Sequence, residues 1–166
     1  MTGFMRSHVP LLRGIADAVG LPSVREEAKR PGAAAVYRVT IRYHDGQVRD
    51  SVAALRRVHP GGWSLEVAYR GAFENRPIRY PIPPERGEAF AAALAAVGFD
   101  RLNDAPDVPP YPTADLWLIE RASGAFQHEV LLAPESATFA SSAVNPYARL
   151  VNAVRNGLPE AVKRMT

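Results

Sequence analysis

The residues able to carry acid–base or metal chemistry are four histidines, His8, His44, His59 and His128, and the aspartates Asp100, Asp104, Asp107 and Asp115. Metal sites need ligands at short, fixed spacings such as HExxH, and each histidine here falls in a different segment. The aspartates are interleaved with prolines in NDAPDVPPYPT, where their oxygens suit turns and caps, and their spacing matches no calcium loop. One enzymatic option remains, a small enzyme of unassigned class using His128 with Asp107 or Asp115 beside the proline-rich loop. HPGG at 59–62 lacks the lysine and following helix of a phosphate loop, and Ser136, Ser141 and Ser142 stand in no nucleophile elbow. Cysteine is absent, which removes disulfides, thiolate metal sites and cysteine nucleophiles together. The expectation is therefore a protein that is not an enzyme, with no catalytic set, metal ligands or cofactor.

Arginine and exposed aromatic positions carry the remaining chemistry. Arg38, Arg42, Arg70 and Arg79 all fall on polar positions of predicted strands, and such a face would attract phosphate. Against that, the net charge is only +3, Glu66 shares the face, and the aromatics alternate onto the opposite side, away from any base that would stack on them. Lys29 and Lys163 are the only lysines and alanine is abundant, as a GC-rich bacterial coding sequence would produce, so part of the arginine content follows codon usage. Nucleic-acid binding by this face is the alternative reading. The leading one is protein binding through residues 71–76, GAFENR, where Phe73 stands at a loop tip with Arg70, Glu74 and Arg76 around it, residue types found at interface hot spots; the competing reading folds this apolar tip back into the core.

The elements that must position these residues follow from periodicity. The chain has 166 residues, enough for one domain with its own core. Residues 1–34 read as an N-terminal helical arm: Val9, Leu12, Ile15, Ala16 and Val19 repeat at helical spacing, and Ser23 with Glu26 forms a capping box for a second helix over 24–30. This arm either packs on the domain or serves a homodimer.

Residues 35–166 read as a single α+β domain with three hairpins. Tyr37, Val39, Ile41 and Tyr43 alternate with Arg38, Thr40 and Arg42, and an Asp45-Gly46 turn leads to a strand over 47–52. Trp63, Leu65, Val67 and Tyr69 mark the next strand, and its partner over 76–82 carries Pro77 and Pro81, which confine it to an edge. A helix is predicted over 84–97, ended by Gly98. The third hairpin pairs 116–121 with 126–132, its first strand apolar on both faces and so central. A polar loop over 133–143, a helix over 146–156 and a short terminal helix over 158–163 complete the reading. The predicted sheet has about six strands, in one or two sheets, backed by two main helices.

The segment from Trp63 to about Pro159 resembles small bacterial proteins of the emfourin type. The likeness lies in a strand leading into YRGAF, Tyr69 to Phe73, then a helix, GFDRL from Gly98 to Leu102, an acidic residue before a hairpin, Asp115, and a closing helix. It covers about the last three-fifths of the chain; residues 1–62 have no counterpart, and alanine stands where the group tends to carry a second glycine. The resemblance implies a ββαββα unit whose loops contact another protein, as in cytoplasmic inhibitors of thermolysin-like metallopeptidases. No segment reaches the roughly 20 apolar residues of a membrane helix, and Arg13 and Asp17 interrupt the N-terminal apolar stretch, so a cytoplasmic protein is expected.

Overall fold

The computed structural model describes residues 8–110, 113–139 and 145–166. Helix α1 (His8–Ala18) buries Val9, Leu12, Ile15 and Ala16, and the chain turns away at Gly20, whose positive φ of 74° suits a residue without Cβ. Helix α2 (Val24–Ala28) begins where the Ser23 hydroxyl accepts the Glu26 backbone N–H, as the capping box requires. Six strands follow: β1 (Ala33–Arg42), β2 (Ser51–Val58), β3 (Gly62–Tyr69), β4 (Ile78–Pro81), β5 (Leu116–Ser123) and β6 (Phe126–Leu132). Between and after them lie α3 (Pro84–Val97), α4 (Pro134–Phe139) and α5 (Pro146–Gly157).

The strands form one antiparallel sheet in the order β4-β3-β2-β1-β5-β6. Register fixes two unlike faces. Tyr37, Val39, Ile41, Leu55, Leu65, Val67 and Ile119 share one face and meet Phe90 and Leu94 of α3 together with Leu150, Val151 and Val154 of α5. Tyr37 is central there, stacked on Trp63 with centroids 6.1 Å apart and edge-on to Phe90 at 5.8 Å. The opposite face carries Val36, Val52, Ala68 and Ala122. Ile15 and Ala16 of α1, with Val19 just beyond it, cover Val52 and Ala68, while Val24 and Ala28 of α2 cover Val36 and Ala122. The arm is thus a third layer, and both faces of the sheet are covered.

Three local expectations change. The second strand occupies 51–58, not 47–52, because Val48 N–H closes a turn onto Asp45 and Arg49 N–H is taken by the Met165 carbonyl. Part of the expected polar loop is α4, and only residues 134–139 of it can be compared, since 140–143 lie outside the described residues. Residues 158–163 form turns instead of a helix; Leu158 and Ala161 are buried, and the Ala161 and Glu160 carbonyls accept from the Ser51 and Tyr69 hydroxyls, anchoring the segment from outside.

Candidate functional site

The loop after β3 holds the expected binding residues together. Arg70 N–H is tied to the Asp50 carbonyl at 2.9 Å, and Gly71 takes φ 79°. The next three residues with positive φ, Phe73 at 52°, Glu74 at 56° and Asn75 at 58°, are consecutive and none is glycine. Each left-handed non-glycine residue costs on the order of 1–2 kcal/mol, so the surroundings must hold this turn in place. They do so through Asn75, whose Oδ1 accepts the Gly71 N–H at 2.6 Å while its own N–H reaches the Ala72 carbonyl at 2.9 Å.

The turn lifts Phe73 away from the core. At 57 % exposure it is the most exposed large apolar side chain among the described residues. Arg76 and Glu74 face each other across it at 3.5 Å, both in solvent, and Arg70 lies 3.7 Å from Asp50. Such exposed pairs add little stability, which leaves their charges available to a partner.

The arginine face is not the open strip that the strand pattern suggests. Arg79, Glu66, Ala54, Arg38, Glu120 and Glu129 are successive register partners and form one row across all six strands. Helices α1 and α2 lie over it. Arg38 is only 2 % exposed and donates to the Pro22 carbonyl at 2.6 Å; Glu66 and Glu120 are each 4 % exposed. Arg70 and Arg79 do reach the surface, but Arg79 is held by Glu66 at 2.9 Å, and Arg42 is half-buried at the end of β1. Arg38, expected on a solvated face, is instead sealed between two layers, because the arm that precedes it in sequence folds back over its strand.

Around this row lies an ionic network. Arg56 meets Glu66 through two contacts, at 2.9 and 3.1 Å, and also donates to Glu27 of α2; Arg13 of α1 pairs with Glu129. Burial works against the charge on Arg56, but its hydrogen bonds to Glu66 and Glu27 outweigh that and raise its pKa. The second oxygen of Glu27 has no hydrogen bond among the described residues; Arg30 stands 3.9 Å away, near enough for charge and too far for a bond. Sequence reading missed Glu27, Glu120 and Arg13. The available signal was Glu120 inside LWLIE, a charged residue in an otherwise apolar central strand.

The histidines have separate partners. His8 bonds the Pro109 carbonyl, and His128 bonds the Leu102 carbonyl with its ring edge-on to Phe99. Asp115 joins not His128 but His44, at 2.7 Å from Nδ1, and also accepts the His44 backbone N–H. His128 pairs with Arg121 of β5, six residues on from Asp115, which immediately precedes that strand, so the two are separated by about 20 Å at strand rise. The carboxylate and imidazole proposed for acid–base work do not meet. Asp107 is exposed and lines a pocket with Ser136 and Tyr147, and Ser141 and Ser142 lie outside the described residues. Among the described residues, no three His, Asp or Glu side chains converge in a way that would hold a metal ion.

No protein-family model matches the chain, and the curated proteins contain no match to it. No helix among the described residues is long and apolar enough to cross a membrane.

Proposed function

We propose that this is a non-catalytic protein-binding domain that engages its partner through the loop of residues 71–76. The observation carrying this reading is Phe73, held in solvent on a left-handed turn that the chain maintains against its own backbone preference. A turn fixed before binding loses little conformational entropy when it docks, and that favours affinity. Phe73 enters an apolar pocket of the partner, while Arg70 and Arg76 set its orientation through charge-assisted bonds.

The likeness of Tyr69–Phe73 and Gly98–Leu102 to the emfourin pattern suggests a thermolysin-like metallopeptidase as the partner. Inhibition of such an enzyme by the purified protein tests this. The parent is expected to inhibit, and Phe73→Ala to weaken inhibition about 30-fold, the equivalent of about 2 kcal/mol. Absence of inhibition by the parent removes the peptidase as partner. Equal inhibition by parent and variant removes Phe73 from the contact. The side chain is exposed, so the variant keeps its fold, which circular dichroism verifies.

A further inference from the structure

Between the arm and the sheet lies a cavity of about 350 Å3. Its floor is Arg38 of β1 and Glu120 of β5; its walls are Arg13 and Asp17 of α1, Ser23 before α2, and Arg25 of α2. This volume is at the lower end of the range for small-molecule sites.

One floor residue has an unpartnered buried nitrogen, and the other opens its carboxylate to the cavity. Glu120, 4 % exposed, has no hydrogen bond or ion pair within the described residues, although it lines the cavity. Arg38, 2 % exposed, uses one nitrogen on the Pro22 carbonyl and leaves Nε without a partner among the described residues. Burying charged groups without partners is costly, and native structures provide those partners from protein, water or ligand. Among the described residues the cavity thus holds a carboxylate that no donor reaches within hydrogen-bond distance, beside an arginine nitrogen without an acceptor.

We propose that this cavity binds a small zwitterion, a free α-amino acid, with its ammonium on Glu120 and its carboxylate on Arg38 and Arg25. One molecule carrying both charges a few ångströms apart satisfies both floor residues; a simple anion or cation would satisfy one and repel the other. Asp17 and Arg13 line the same cavity, and Ser23 supplies a neutral hydroxyl. The bound molecule spans α1, α2 and the sheet, so it ties the arm to the domain.

The test is thermal denaturation and calorimetric titration of the full chain with each common L-amino acid at millimolar concentration, followed by the amide and N-acetyl derivatives of any that bind. At least one amino acid is expected to raise the melting temperature, with both derivatives weaker by about ten-fold or more, since each loses one charged contact. Glu120→Gln is expected to weaken binding by a similar factor. If that variant does not fold, Arg25→Gln, on the exposed face of a helix, decides the matter with an expected several-fold loss. The proposal is overturned if no amino acid binds, if the amide and N-acetyl forms bind as well as the parent compound, or if the folded variants bind unchanged.

Discussion

Arg38 and Glu120 stand directly opposite each other on adjacent strands, both buried, yet within the described residues no ion pair or hydrogen bond joins them. Burial raises the Glu120 pKa, and the nearby charges of Arg38 and Arg13 only partly offset it, with Glu129 adding to the rise. A carboxyl whose folded pKa exceeds its unfolded value loses stability as pH rises from about 4.3 through the folded value, and no further above that. Glu120→Gln has no such loss. Its stability relative to the parent should therefore increase from acid to neutral pH, measured by denaturant unfolding at several pH values. A constant difference would mean that Arg38 compensates the buried charge fully.

Glu66 behaves in the opposite sense. Burial raises its pKa, but the hydrogen bond and charge of Arg56, with the charge of Arg79, outweigh this and hold it below the ordinary carboxylate value. Its contribution to stability is present above the unfolded pKa of about 4.3 and is lost as pH falls through the lower folded value. Glu66→Ala leaves Arg56 short of a buried partner, so about 3 kcal/mol should be lost at neutral pH. The gap between parent and variant should close on acidification.

Gly87 tests how tightly α3 sits on the sheet. A Cβ at this position would lie 2.1 Å from the Trp63 ring. In an isolated helix, Gly→Ala gains about 1 kcal/mol; here Gly87→Ala should lose about 2 kcal/mol, because neither backbone nor indole has room to yield. A double-mutant cycle with Trp63→Leu should recover most of that loss, and its absence would point away from the indole as the obstacle.

Thr40 offers a substitution in the favourable direction. Its hydroxyl is fully buried and has no hydrogen-bond partner among the described residues, with Val52 and Leu118 beside it on the neighbouring strands. Thr40→Val removes the unpaired polar atom and keeps the branched shape, so stability should rise by about 1 kcal/mol. A lower melting temperature would reveal a partner for the hydroxyl, such as a bound water.

Much of this architecture is legible from local pattern. Alternation along Val36–Tyr43 and Trp63–Tyr69 specifies strands and their inner faces, since side chains on a strand point alternately to its two sides. Ser23, Pro84, Gly98 and Asn145 mark helix ends through caps that involve only neighbouring residues. That Phe73 lies in a loop also follows from sequence, but a tip of this kind can project into solvent or fold back onto the core, and the left-handed turn decided for solvent.

What the sequence by itself determined, then, is most of the strands and the main helices, which strand faces are apolar, and that residues 71–76 form a loop. Tertiary structure alone decided what covers the other face. Alternation makes Arg38 and Glu66 polar-side residues, but a polar side may meet solvent or a second layer, and the pattern along one strand is the same in either case. The outcome depended on α1 and α2 folding back, on Glu27 reaching Arg56 across 29 residues of sequence, and on Glu120 arriving beside Arg38 through the pairing of β1 with β5. Those contacts are long-range, and their energies come from burial and charge between segments that share no local signal. For the same reason a face that reads as an open arginine strip became a covered ionic row with a polar cavity beneath the arm.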